Sequence, residues 1–360
     1  MATKNQDGDR ESSAPKTKNG NPPTLFVGID LGTSRTAIAA SNGERRDVFS
    51  CVGKPKDEVS VKLLGKRLLF GREAIEHRMA LDFHRPLEKG VIATASDAEK
   101  ETNLWVVRAL LEHAVSLVSP KADDVIYGVV GAPARASLEN KRMIIDATRG
   151  ILNGVMVTSE PFAVAYGIDV LDGALIVDIG AGTMDLCRMH GTFPSEEDQM
   201  TISKAGDFID RELFDALEKK YPAAQFSMNM IKAIKERHGY VADRDDTITV
   251  ELPVEGRPRS FDITAELRAS CLKIVPDLIA AVQRLIGSFD PEFQSKLRNN
   301  VIVCGGGSQM QGLRKLIETG LTELGGGRVT LVDEPVYAGA NGALKIAREM
   351  PANYWELLGA

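Results

Sequence analysis

Two short stretches of this sequence have the residue types of an anion-binding turn. Asp30-Leu31-Gly32-Thr33-Ser34 and Asp178-Ile179-Gly180-Ala181-Gly182-Thr183 begin 148 residues apart, and each follows an apolar run, LFVGID (25–30) or ALIVDI (174–179). Glycine lets the backbone take positive φ and approach a ligand closely. Successive exposed amides beside Ser and Thr hydroxyls form a nest for phosphate oxygens. An aspartate at the strand end supplies the hard oxygen donors of a Mg²⁺ that keeps its waters and bridges phosphates. The pattern therefore expects Asp30 and Asp178 to hold a metal through water, with Gly32–Ser34 and Gly180–Thr183 on the phosphates. Either turn alone also reads as an ordinary polar hairpin; the pair, in register, is the signal.

A third glycine turn, Gly305-Gly306-Gly307-Ser308, follows the strand-like VIVC (301–304) and suits a flat base or ribose lying against the backbone. Glycines 325–327 sit in a polar connection and read as a loop. Glu160, in Ser159-Glu160-Pro161, stands at a strand-to-helix junction. Proline at a first helical position and an acid beside it favour a helix N-terminus. The same carboxylate would also orient or deprotonate an attacking water. No GxxxxGK[ST] or first-turn GxGxxG is present, which disfavours P-loop and dinucleotide sites. The five histidines lack metal-ligand spacing.

The elements around these turns repeat. In the first half, strands over 25–30, 37–41 and 47–52, with Asn42-Gly43 as a hairpin turn, precede a helix over 98–118 whose Leu104, Val107, Leu111, Ala114 and Val118 share a face. A strand over 125–130, a helix over 138–148 and a strand over 155–158 complete the half. In the second half, strands over 174–179, 187–189 and 201–205 lead to one long helix marked by Leu267, Cys271, Ile274, Leu278, Ala281 and Leu285. A strand over 301–304 and a last helix over about 337–350 close it. A duplicated α/β core facing a cleft is the economical reading.

Composition narrows the class. Hydrophobic residues at 43% and charged residues at 26% fit a globular protein of about two domains. A net charge of -6 gives no footprint for nucleic acid and no attraction to an anionic membrane. The four cysteines show no CxxC spacing, so reduced thiols are expected. No apolar run nears the roughly 20 residues of a membrane span. Residues 1–23 lack the core of a signal peptide and read as a disordered polar tail.

The motifs taken together resemble the actin/Hsp70/sugar-kinase superfamily. FVGIDLGTSRT (26–36) and IVDIGAGTMD (176–185) are similar to its two phosphate loops, and VIVCGGGSQMQGL (301–313) to its adenosine loop. GAPARAS (131–137), SEPFAVAYG (159–167) and PVYAGANGAL (335–344) are similar to its connecting regions, and KAGDFIDREL (204–213) and AIKERHGYV (233–241) to segments of its second small lobe. The resemblance implies an actin-like ATPase fold: two duplicated RNase H-like lobes with smaller inserted subdomains around a nucleotide cleft. It places large lobe I at 24–52 and 93–168 with a C-terminal helix at 336–360, its insertion at 53–92, large lobe II at 169–206 and 262–335, and its insertion at 207–261. Carried over, Asp30, Gly32, Thr33, Ser34, Asp178, Gly180, Ala181, Gly182 and Thr183 serve phosphate and metal, while Gly206, Asp207, Lys235, Glu236 and Gly305–Ser308 (Gly306 and Gly307 between them) contact the nucleotide. Glu160 falls where bacterial actins keep the glutamate that assists hydrolysis. Ser34-Arg35-Thr36 stands where eukaryotic actin has a lysine near the phosphates, so that contact is replaced or absent.

Within the superfamily, the end at Ala360 sets the chain apart from chaperones with a following substrate domain, and no second base is evident for a sugar kinase. The run VSVKLLGKRLLFGREA (59–74) and the ending EMPANYWELLG (349–359) are most similar to the magnetosome-associated bacterial actins. That likeness implies an ATP- and Mg²⁺-dependent homopolymer, cytoplasmic filaments alongside magnetosomes, and magnetosome proteins as partners, without nucleic acid or membrane insertion. The alternatives are a soluble phosphotransferase of the sugar-kinase branch and a chaperone-like nucleotide module.

Overall fold

The computed structural model describes residues 23–93 and 96–358. The reading of a polar tail therefore lies outside the described residues except at Pro23. Two five-stranded sheets carry the frame. The first contains β1 (Thr24–Leu31), β2 (Arg35–Ala40), β3 (Arg45–Phe49), β4 (Val125–Ala132) and β5 (Gly154–Ser159), in spatial order β3-β2-β1-β4-β5. The second contains β6 (Asp172–Ile179), β7 (Met184–His190), β8 (Gln199–Ile202), β9 (Val301–Cys304) and β10 (Val329–Leu331), in order β8-β7-β6-β9-β10. In each half the first three strands form an antiparallel meander and the fourth and fifth run parallel beside the first. Asp30 and Asp178 are each the penultimate residue of the central strand. The fold is actin-like, built from one α/β pattern used twice.

Continuous apolar runs fit central strands covered on both faces. Val27, Ile29, Leu175, Ile176 and Val177 are fully buried. Helices α1 (Asp97–Ser116) and α2 (Leu138–Thr148) follow in the first half, capped by Ser96 and Ser137 through bonds to the amides of Glu99 and Asn140. The second half carries α4 (Gly206–Lys220), α5 (Met228–His238), α6 (Thr264–Leu272) and α7 (Val275–Gly287), counted after α3 (Glu160–Gly167). A helix α8 (Ala338–Glu349) and a short α9 (Ala352–Leu358) end the chain.

The halves meet through α3 and α8 at backbone distance. A Cβ added at Gly342 would lie 1.8 Å from the Ala163 carbonyl oxygen, and one at Gly28 of β1 would lie 2.1 Å from the Leu344 nitrogen. Around this joint a core combines residues from both halves, among them Val129, Phe162, Ile176, Cys187, Ile302 and Ile346. Trp355 of α9, 1% exposed, joins it and stacks on Tyr127 with ring centroids 5.0 Å apart.

Smaller elements are inserted in each half. Val52–Pro55, Leu69–Phe70 and Leu81–His84 form a three-stranded sheet with the helix Glu58–Leu64, and a hairpin of Leu87–Glu88 and Val91–Ile92 turns at Lys89-Gly90. In the second half a hairpin of Thr249–Val254 and Arg257–Asp262 turns at Glu255-Gly256, both with positive φ as that tight turn requires.

Four expected elements differ. The strand expected over 47–52 ends at Phe49, and Val52 starts the small sheet. Buried Ser50 turns away, donating its hydroxyl to the Gly32 carbonyl at 2.6 Å. The single helix through 267–285 is divided at Lys273–Ile274 because Pro276 falls in the first turn of α7, where it lacks an amide for the preceding turn. Pro351 likewise separates α8 from α9, so the C-terminal helix of 336–360 is two helices. The third strand of the second half also stops at Ile202 rather than 205.

Candidate functional site

The ends of β1 and β6 face each other across a cavity of about 410 Å³, in the range of small-molecule sites. The two turns touch. A Cβ on Gly182 would lie 2.4 Å from the Thr33 hydroxyl oxygen and 2.8 Å from the Gly90 nitrogen, and the Gly90 amide donates to Thr33 Oγ1 at 2.7 Å. Glycine at 182 is thus demanded by the approach of the opposite half.

Each turn is held from behind. The Ser50 amide donates to the Ser34 carbonyl at 3.0 Å, beside the Ser50 hydroxyl on Gly32. At the second turn the Gly206 and Asp207 amides at the start of α4 donate to the carbonyls of Gly180 (3.2 Å) and Ala181 (2.7 Å). With their carbonyls engaged, the turns leave amides and hydroxyls for an anion in the cleft.

Four carboxylates gather beneath the turns. Burial pushes Asp30 up to about 6. Burial, then the charges of Asp30 and Asp185, push Asp178 up to about 8. Glu160 is raised well above the carboxylate range by burial and then by Asp30, Asp185 and Asp178. Asp185 is also raised by burial, although it accepts bonds from the Ala134 amide (2.8 Å) and the Thr201 hydroxyl (2.5 Å). Crowded acids with raised pKa values mark a site that binds positive charge or moves protons. Glu160 opens α3 behind the N-cap Ser159 and lies against Gly131, the β4 partner of Asp30. Among the described residues no group of three or more His, Cys, Asp or Glu is arranged to ligate a metal directly.

The glycine turn after β9 closes one side. Gly305 has φ 76°, and a Cβ there would lie 2.3 Å from Asp178 Oδ1. Gly306 and Gly307 continue along the wall with Gln309 and Met310, while Ile274 and Val336 add apolar surface suited to a base. Lys235 and Glu236 of α5 line the cavity, Lys235 donating to the Gly206 carbonyl at 2.8 Å and pairing with Asp210 at 2.9 Å.

Most residues singled out from the sequence meet here: Asp30, Gly32, Thr33, Ser34, Glu160, Asp178, Gly180–Thr183, Gly206, Lys235, Glu236 and Gly305–Gly307 all line the cavity. Two do not. Ser308 is 3% exposed and spends its hydroxyl on the Gly305 carbonyl at 2.8 Å, shaping the loop from within. Asp207 acts through its backbone amide on the second turn. Sequence reasoning missed Asp185, Gly90 and Lys232. Asp185 is signalled by the register, since it is the β7 partner of Asp178; the other two arrive from inserted segments, without a motif.

Comparison with known proteins settles the kinship. The sequence model of the MreB/Mbl protein family matches residues 24–353. The chain belongs to the MreB/Mbl family. Within it, the chain is 41% identical to the actin-like protein MamK of Magnetospirillum gryphiswaldense over 335 residues, 93% of this chain and 92% of that protein. Among solved structures, the MamK double helical filament matches with a TM-score of 0.87 at 39% identity, covering 91% of this chain and all of the other. A non-polymerising MamK variant bound to AMPPNP matches with a TM-score of 0.69 at the same identity and coverage. No described helix of this family member is long and apolar enough to cross a membrane.

Proposed function

We propose that this chain is a cytoskeletal ATPase that polymerises in an ATP-dependent manner and organises and positions magnetosome chains. The observation that carries the reading is the opposed pair of turns, Gly182 against Thr33, above Asp30, Asp178 and Glu160. Such a clamp grips a triphosphate from both halves at once, so phosphate occupancy is read as closure between them. The MamK filament and the AMPPNP-bound MamK variant support filament and nucleotide, and favour this reading over the phosphotransferase and chaperone alternatives.

The division into two large lobes, each with a smaller insertion, belongs to the same proposal. Asp30 and Asp178 would hold Mg²⁺ through its waters; their buried, mutually repelling charges suit a cation, whose chemistry would be to offset phosphate charge. Glu160 would orient or deprotonate the attacking water once a bound cation offsets the charges of Asp30, Asp185 and Asp178, which after burial hold its carboxyl up. Gly305–Gly307, Lys235 and Glu236 would hold the nucleoside. Head-to-tail stacking of closed subunits is a heterologous contact that does not close, and so gives a filament. Cytoplasmic filaments alongside magnetosomes, with magnetosome-associated proteins as partners, complete the proposal, and the likeness to MamK supports it.

High-speed pelleting with and without Mg-ATP, with phosphate release followed in parallel, tests this. Sedimentation only with nucleotide, accompanied by phosphate release, is expected. Protein that hydrolyses ATP yet stays in the supernatant at all concentrations and salts would sink the filament reading.

A further inference from the structure

The cleft is rich in acid, and its cations are unequally engaged. Three basic side chains line it: Arg35, Lys232 and Lys235. Arg35 is paired with Asp47 and lies over the Phe49 ring at 4.5 Å. Lys235 is paired with Asp210. Lys232 makes no salt bridge among the described residues; its ammonium instead donates to the hydroxyl of Ser34, in the first turn. That bond crosses the cleft, because Lys232 sits on α5 in the second half and Ser34 in the first.

Two further observations fix what Lys232 is for. It stands in the wall shared with a second cavity of about 190 Å³ behind the first turn, where Arg72 and Arg85 stand with Glu76 and Glu236. Arg85 crosses to the same helix, donating to Asn229 Oδ1 at 2.8 Å. Burial lowers the Lys232 pKa, and the nearby charges of Asp207 and Glu236, neither of them salt-bridged to it, offset this only in part. A buried cation aimed at an anion-binding turn lacks one partner, and a phosphate oxygen supplies it.

Building on the ATP reading above, we propose that Lys232 is a cross-cleft ligand of the nucleotide's terminal phosphate. Its ammonium bridges that phosphate and the first turn, so that loss of the phosphate loosens α5 from the opposite half. Lys232 thereby distinguishes triphosphate from diphosphate, whereas Lys235, already neutralised by Asp210, serves both alike.

Equilibrium binding of AMPPNP and ADP to wild type, Lys232→Met and Lys232→Arg tests the assignment. Removing a charge-assisted bond predicts roughly a 10-fold or greater loss of AMPPNP affinity in K232M, with less than about a threefold change for ADP, and substantial recovery in K232R. K232M that binds both nucleotides as wild type does, or loses both by the same factor, overturns it. Hydrogen exchange over 228–238 in wild type keeps the test independent of variant folding. Stronger protection with AMPPNP than with ADP supports the bridge, and equal protection removes it. Wild type that binds neither nucleotide would instead overturn the ATP reading on which this one rests.

Discussion

The first turn is three residues long and is steadied by a serine; the second is four residues long and is steadied by a helix. In both halves the support comes from the chain just after the third strand, Ser50 behind Gly32 and Ser34, and Gly206 with Asp207 behind Gly180 and Ala181. The register departs more. Opposite Asp30 on the neighbouring strands stand Ala37 and Gly131; opposite Asp178 stand Asp185 and Cys304. Past the fifth strand the halves part company. In the first, α3 starts at once with Glu160; in the second, a six-residue connection through Pro335 and Val336 precedes α8, which begins with Ala338 and Gly339. A duplicated frame thus carries one helix-opening glutamate, one extra acid and two different walls. The repeat puts a turn on each side of the cleft, and the asymmetry would give the proposed hydrolysis a single direction of attack.

The largest expected effect tests that asymmetry at its base. Glu160→Gln should cut phosphate release by roughly 10²–10⁴-fold, the range for a positioned general base, while nucleotide-dependent pelleting persists and disassembly slows. Release at the wild-type rate would show that the second half supplies a base of its own. The glycine walls come next. Gly305→Ala, at a positive φ and against Asp178, should cost about 1–3 kcal/mol from backbone strain alone, lowering Tm and nucleotide affinity. Gly131→Ala, whose Cβ would meet Glu160 Cγ at 3.2 Å and needs it to give by only a few tenths of an ångström, should stay within about 1 kcal/mol of the parent. Equal losses would erase the difference between these walls.

A further effect concerns pH. Asp30 and Asp178 are held up to about 6 and about 8 when folded, so the ligand-free folded state keeps protons that the unfolded chain releases. Their contribution to stability is full in acid and is lost as pH rises through those values. The Tm of the nucleotide-free protein should therefore fall between about pH 5 and about pH 8.5. Asp178→Asn should flatten the upper part of that fall, and Asp185→Asn, which removes one repelling charge, should move it to lower pH. A Tm that rises across the same interval would contradict the assigned directions.

What could be read from the sequence was what is local in it. An aspartate, its glycines and its hydroxyls are neighbours in the chain, so both turns were visible, as was Glu160 beside Pro161. Asp185 ends the segment IVDIGAGTMD with no local sign of a role, because its position beside Asp178 is a matter of strand register, and no periodicity announces register. Lys232 was hidden by its placement on an ordinary-looking helix that matters only where it meets the other half. The division of the long helix was legible in Pro276, but the apolar spacing runs through it unbroken and outweighed the single residue. The end of β3 at Phe49 follows from the Ser50 hydroxyl reaching a carbonyl 18 residues away, a tertiary contact that overrides strand propensity.

The backbone contact of α3 with α8 has an evolutionary consequence. At Gly342 and Gly28 there is no volume into which a side chain can grow, so this joint offers almost nothing for selection to tune by substitution. Variation in the proposed closure must be written elsewhere, in the longer side chains that reach across the mouth of the cleft, where a single codon change alters charge without disturbing the joint.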